Sequence, residues 1–102
     1  KPWRQLRELR FFDPAPHLLE IDMPALFVFA ENDAAVYPGW AIGALNETFK
    51  NNVPDHFSLN IIHGANHDFK MAPMCATRNE IDEASFSEYF QQIFKNWILE
   101  NL

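Results

Sequence analysis

Apolar and polar residues follow two different spacings along the chain, one typical of strands and one typical of helices. The unbroken apolar run 25–30 follows a proline, which is typical of a strand buried on both faces of a parallel sheet. Residues 57–61 alternate apolar and polar side chains and predict a second strand with one wetter face, near the sheet edge. Between them, residues 40–50 carry apolar side chains at helical spacing and predict a helix.

The clearest helical pattern lies near the end of the chain. Ser85 and Glu88 have the spacing of a capping box, which predicts the start of the last helix. Before it, residues 70–81 have no clear period, and Pro73 favours an irregular loop. The apolar stripe of the last helix consists of Phe86, Tyr89, Phe90, Ile93, Phe94, Trp97 and Ile98.

The order strand, helix, strand, helix predicts an α/β fold in which parallel strands alternate with helices through a right-handed crossover. Before the first strand we expect a helix-like lead-in over residues 1–12, a proline-rich break at 13–16 and a helical turn over 17–20. The whole chain, 1–102, is expected to be a single partial domain. Its first residue is Lys1 rather than Met, which suggests a fragment or a processed chain.

The composition adds an expectation about uncovered apolar surface. Hydrophobic residues make up 48% of the chain, including ten Phe and three Trp. A domain of this size buries only roughly 65% of the surface that its unfolded chain exposes. Some of this aromatic surface is therefore expected to face missing upstream elements, or to support self-association.

Charge and cysteine content argue against several classes of function. The formal net charge of −6 repels phosphates, so nucleic acid is not expected as a partner. The single cysteine, Cys75, cannot form an internal disulfide and is expected to be a buried packing residue. No apolar run is long enough to span a membrane, and no signal peptide is visible. We therefore expect a soluble protein and favour a cytoplasmic location, while an upstream targeting segment is left open.

Candidate catalytic residues follow both predicted strands. Asp33 comes shortly after the first strand and His67 shortly after the second. Since the carboxyl ends of neighbouring parallel strands meet at one edge of a sheet, these two side chains can come together there. An acid that hydrogen-bonds an imidazole fixes its tautomer and stabilises the imidazolium, so His67 could serve as a general base.

Other interpretations of these polar residues stay open. Glu31 and Asp68 are close in sequence to the proposed pair and could be taken for the acid, although Asp68 adjoins His67 and is ranked below Asp33. A metal site would combine His63 and His67 with the aspartates, but Gly64 after a strand argues against the helical spacing that two such histidines need. We expect no metal and no cofactor.

Residues 13–102 resemble the last two strand–helix units of α/β-hydrolases, in their serine peptidase and dienelactone-hydrolase-like branches. In those families a strand introduced by proline leads to a G-x-x-D-x-x-V-P turn with the triad acid, and this chain has AENDAAVYP at 30–38. The next strand leads to a small-residue turn, a histidine and an aromatic residue, which resembles GANHDF at 64–69. The resemblance implies that Asp33 is the acid and His67 the base of a catalytic triad.

The chain departs from the family pattern in three ways. Ala30 stands where the family usually has glycine, and an extra Tyr37 precedes the proline of the turn. The G-x-S-x-G nucleophile elbow is absent, because no serine of the chain has flanking glycines. These serines are Ser58, Ser85 and Ser87. The family order of nucleophile, acid and histidine implies that the missing serine lies upstream, so the isolated chain is predicted to be inactive.

The resemblance therefore implies the C-terminal part of a serine hydrolase, an esterase or a peptidase. The longer protein would act by acyl transfer on a small-molecule ester or a peptide. The alternative is a non-catalytic, degenerate hydrolase-like module that mediates protein–protein association through its uncovered apolar face. This alternative predicts that Asp33 and His67 can be replaced without effect.

Overall fold

The computed structural model of the chain describes residues 13–102. The predicted helix-like lead-in over residues 1–12 lies outside these described residues. The helices and strands, in chain order, are α1 (Ala15–Leu19), β1 (Ala25–Ala30), α2 (Pro38–Thr48), β2 (Phe57–Ile62), α3 (Arg78–Glu83) and α4 (Glu88–Glu100).

The two strands pair in parallel, with a register that runs from Ala25 opposite Phe57 to Ala30 opposite Ile62. Because α2 lies between them in sequence, the chain forms a β–α–β unit. The predicted α/β class, with two parallel strands alternating with helices, is confirmed. Both strands therefore end at the same edge of the sheet, and the loops that follow them begin side by side.

Helices flank β1 on both faces, which explains its uninterrupted apolar sequence. Phe27 and Phe29 line a groove with residues of α1 and α2. Val28 packs against the core that α4 helps to cover. The strand is nevertheless half-buried rather than buried on both faces, and only Ala30 is fully covered. The physical reason is that open grooves of about 310 and 300 Å³ remain beside the strand.

The segment before the last helix differs from the sequence prediction. Residues 78–83 form the short helix α3, within a region that the sequence predicts as partly irregular loop. A capping box of Thr77 and Glu80 begins this helix, whereas the predicted box of Ser85 and Glu88 was assigned to the last helix. The last helix begins one residue after Ser87, whose Oγ accepts from the amide of Phe90 at 3.0 Å. The predicted capping box at residue 85 is therefore wrong, because the side chain that caps the helix belongs to Ser87, two residues later.

The buried core lies directly beneath the carboxyl ends of the strands. It consists of Ala30, Ile62 and Ala65, each at most 1% exposed. Phe69 and Phe90 pack against this core and stack on each other, with ring centroids 4.2 Å apart and planes 4° from parallel. This packing connects α4 to the loop after β2, so the buried core supports the strand-end edge.

Considerable apolar surface remains uncovered, as the composition predicted. Trp40 is 79% exposed, and Met23 is 64% exposed. Cys75 is exposed as well, so its prediction as a buried packing residue is wrong. The residue lies outside the buried core cluster described above. Self-association through the exposed apolar surface stays a prediction.

Candidate active site

The turn that follows β1 holds Asp33 in a fixed position. Its backbone amide donates to Ala30 O at 3.2 Å, and its Oδ1 accepts from the amides of Ala35 and Val36, both at 2.8 Å. Aspartate commonly forms turns by accepting from amides a few residues downstream. The residue is only 6% exposed. The turn therefore satisfies Oδ1 and leaves Oδ2 to face another group.

The loop that follows β2 carries His67, and Asn66 locks it. Gly64 begins the loop with a φ of +77°, a left-handed conformation that suits glycine. The Oδ1 of Asn66 accepts from the amides of Asp68 and Lys70, both at 3.0 Å. The amide of Asn66 in turn donates to the carbonyl of Lys70 at 2.8 Å. This closed turn fixes the backbone on both sides of the histidine.

The structure brings Asp33 and His67 together at the strand-end edge, as the sequence predicted. The Oδ2 atom of Asp33 and the Nδ1 atom of His67 are 2.8 Å apart, and we call this pair the acid–imidazole couple. The acid is buried, whereas the His67 side chain is 59% exposed. Within residues 13–102 no side chain or backbone group hydrogen-bonds Nε2. When Nδ1 donates to the carboxylate, the neutral ring carries its lone pair on Nε2, where a general base needs it.

Each member of the couple stabilises the charged form of the other. Burial opposes ionisation of Asp33, but hydrogen bonds from Val36 N, His67 Nδ1 and Ala35 N together outweigh it. The pKa of Asp33 therefore lies below its ordinary value of 3.8. The hydrogen bond to Asp33 and the charge of that acid raise the pKa of His67 above 6.5, and the charge of Asp68 adds a smaller contribution in the same direction. The couple thus holds an ionised acid beside a more basic imidazole.

The other acids considered for the site have different partners. Glu31 bonds His63 instead, with Oε2 and Nδ1 3.2 Å apart on the protein surface. Its other oxygen, Oε1, accepts from the amide of Gly64 at 2.9 Å, and these two bonds lower the pKa of Glu31. Asp68 makes no hydrogen bond to His67 among the described residues. Its backbone amide is taken up by the Asn66 turn.

No nucleophile of residues 13–102 hydrogen-bonds His67. Ser58 lies within β2, and Ser87 is 2% exposed and occupied as the cap of α4. In the same part of the chain, no group of three or more histidine, cysteine, aspartate or glutamate side chains could hold a metal ion. The acid–imidazole couple, without a nucleophile bonded to it, is thus the arrangement that the described residues form.

Two polar residues have structural roles that the sequence analysis did not assign. The role of Asn66 had a recognisable signal, because an asparagine in a short polar loop often accepts from amides two to four residues downstream. His56 is half-buried, and its Nε2 lies 2.9 Å from the carbonyl oxygen of Ile21. No local signal predicted this contact, because its partner lies 35 residues away in sequence.

No protein-family model, curated protein or solved structure shows significant similarity to the chain. Among the described residues, no helix combines the length and the apolar character that crossing a membrane requires. The geometry of the couple is therefore the basis for the functional proposal.

Proposed function

We propose that the chain is the C-terminal part of a serine hydrolase of α/β-hydrolase fold. In this proposal it supplies the acid, Asp33, and the base, His67, of a catalytic triad. The observation that carries the proposal is the 2.8 Å bond between a buried carboxylate and an exposed imidazole, located at the carboxyl ends of two parallel strands. The resemblance of the two loop sequences to hydrolase motifs supports the same assignment.

The proposed reaction is acyl transfer from an ester or a peptide. His67 Nε2 takes the proton of a serine hydroxyl as that oxygen attacks the substrate carbonyl, and Asp33 stabilises the resulting imidazolium. His67 then returns the proton to the leaving alcohol or amine. A water molecule enters by the same base catalysis and releases the acid product. The serine and the amides that stabilise the oxyanion would be supplied from outside this chain.

The proposal is tested in the longer polypeptide that would contain the serine. We expect a fluorophosphonate probe to label that polypeptide, with labelling slowed by about 10³-fold or more after His67→Ala. His17→Gln is a matched control, because His17 lies on α1, which precedes β1 in the chain. This substitution should leave labelling unchanged. The isolated chain should not hydrolyse a chromogenic ester. Labelling of the longer polypeptide that survives His67→Ala would contradict the proposal.

The exposed apolar surface favours a second candidate, a non-catalytic module that associates with another copy of itself. The groove beside Phe27 and Phe29 has a volume of about 310 Å³, and Leu18 and Leu45 also line it. This candidate predicts concentration-dependent dimerisation in sedimentation equilibrium that Phe29→Glu abolishes. Asp33→Asn should leave dimerisation intact. A monomer at all concentrations would exclude self-association as the function.

A further inference from the structure

Glu31 connects the two loops that carry the acid–imidazole couple. We call residues 31–37 the acid loop and residues 63–72 the histidine loop. The Glu31 amide donates to Ile62 O at 3.0 Å, which extends the parallel strand pairing by one bond. Its carboxylate reaches across to the histidine loop, where Oε1 accepts from Gly64 N at 2.9 Å and Oε2 lies 3.2 Å from His63 Nδ1. One residue of the acid loop therefore contacts the histidine loop through both its backbone and its side chain.

Asn32 makes a second connection between the same loops, closer to the core. Its amide donates to Ala65 O at 2.8 Å, and its Nδ2 donates to Ala72 O at 3.1 Å. Ala65 and Ala72 are 0% and 4% exposed, so these carbonyls belong to buried residues. The two contacts hold both ends of the histidine loop, because Ala65 lies shortly before His67 and Ala72 shortly after it.

We infer that Glu31 and Asn32 are positioning residues, which fasten the acid loop to the histidine loop and so keep Asp33 Oδ2 within hydrogen-bond distance of His67 Nδ1. The couple itself is one 2.8 Å bond, and its imidazole is 59% exposed. Water competes for such a bond, and a displacement of about 1 Å is enough to break it. The contribution of these residues to catalysis rests on the proposed function, whereas the fastening does not.

The alternative explanation for any effect of Glu31 is its charge. A carboxylate near an imidazole raises the pKa of that imidazole without any role in geometry. Two substitutions separate these explanations. Glu31→Gln removes the charge but keeps an oxygen that can accept from Gly64 N, whereas Glu31→Ala removes both. A positioning role predicts that glutamine substitutes for glutamate and alanine does not.

The experiment is NMR spectroscopy of the full chain, with no substrate or nucleophile required. It follows the exchange of the Gly64 amide proton and of the His67 Nδ1 proton with water, and the pKa of His67. The variants are Glu31→Ala, Glu31→Gln and Asn32→Ala. Glu47→Ala is the matched control, since it removes another exposed glutamate, from the end of α2 that is remote from the acid loop.

We expect Glu31→Ala and Asn32→Ala each to speed exchange of the Nδ1 proton about three- to tenfold, the factor that loss of one hydrogen bond produces. The pKa of His67 should fall toward 6.5 in both variants. Glu31→Gln and Glu47→Ala should behave like the wild type. Unchanged Nδ1 exchange in folded Glu31→Ala and Asn32→Ala would overturn the inference, and equal effects of Glu31→Gln and Glu31→Ala would overturn it for Glu31. If Asn32→Ala fails to fold, Asn32→Ser replaces it. If Glu31→Ala fails to fold, Glu31→Met replaces it, because methionine keeps the length of the side chain but lacks the oxygen that accepts from Gly64 N.

These outcomes are distinguishable from those that test the proposed function. The fastening is measured on the couple itself, so it can be present in a protein that fluorophosphonates never label. Conversely, the longer polypeptide can be labelled while Asn32→Ala changes neither the exchange rate of the His67 Nδ1 proton nor the labelling rate. That result would support the proposed function and overturn the inference.

Discussion

Replacing Asp33 with asparagine changes the charge of the acid while keeping its shape. In the wild type, the amides of Ala35 and Val36 each donate to Asp33 Oδ1 at 2.8 Å. The Oδ1 of asparagine can still accept from both amides. The new Nδ2 is a donor, so it donates to His67 Nδ1 and forces the ring proton onto Nε2. The ring then lacks the lone pair that a general base uses. Asp33→Ala instead removes the partner of all three donors.

The two substitutions should differ in their cost to stability. A hydrogen bond to a charged group contributes about 1.5–3 kcal/mol, and solvent around an imidazole that is 59% exposed reduces this contribution. We therefore expect Asp33→Asn to lower the free energy of unfolding by about 1 kcal/mol. Asp33 is 6% exposed, so alanine also leaves two amides without their acceptor at a cost of about 1 kcal/mol each. The total for Asp33→Ala is then about 3 kcal/mol.

Urea unfolding at pH 7 measures both free energies, and ¹⁵N NMR of the imidazole reports its tautomer. We expect Asp33→Ala to be about 2 kcal/mol less stable than Asp33→Asn, and the asparagine variant to carry its ring proton on Nε2. Equal losses of stability would show that the turn amides do not depend on the carboxylate. An Nδ1 proton retained in Asp33→Asn would refute the tautomer argument.

The wild type and Asp33→Asn should differ in the pH dependence of stability. The folded pKa of His67 lies above 6.5, so its contribution to stability is fully present below that pH and is lost as pH rises through the folded pKa. The folded pKa of Asp33 lies below 3.8, so its contribution is present above that pH and is lost as pH falls through the folded pKa. The stability difference between wild type and Asp33→Asn should therefore be largest between about pH 3.8 and pH 6.5, where both contributions are fully present. A difference that does not change with pH would contradict the coupling.

Two further substitutions test the local structure around the site. Ser87→Ala should lower the free energy of unfolding by about 1 kcal/mol, because it removes the cap of α4, whereas Ser85→Ala should change it by less than about 0.5 kcal/mol. Equal effects in thermal unfolding would show that the cap is assigned to the wrong serine. Gly64→Ala should cost about 1–2 kcal/mol, since a Cβ would be strained at a φ of +77° and would lie 3.0 Å from the Met71 side chain. An unchanged melting temperature would contradict this reasoning.

The sequence predicted those features that depend on strong local patterns. The apolar run 25–30 coincides with β1, because helices flank both faces of that strand and no polar position interrupts it. The proximity of Asp33 and His67 was also predicted, because parallel strands bring their carboxyl ends to the same edge. Catalysis by these two residues stays a prediction.

The features that the sequence did not predict depend on distant contacts or on competition between similar local signals. Ser85 and Ser87 can both cap a helix, and only the structure, through the bond from Phe90 N to Ser87 Oγ, shows which of them does. The bond between Glu31 and Gly64 joins residues 33 positions apart, so no periodicity reveals it. The exposure of Cys75 depends on where its loop lies in the fold, and composition gives no information about that.

The register between the two strands has a consequence for the chemistry. Residue 30 lies opposite residue 62, and a slip of the pairing by two positions would keep every side chain on its original face. Such a slip would still displace the imidazole along the sheet by about 7 Å, two steps of about 3.3 Å. Substitutions in the middle of either strand that loosen this alignment can therefore break the Asp33–His67 hydrogen bond without changing either residue.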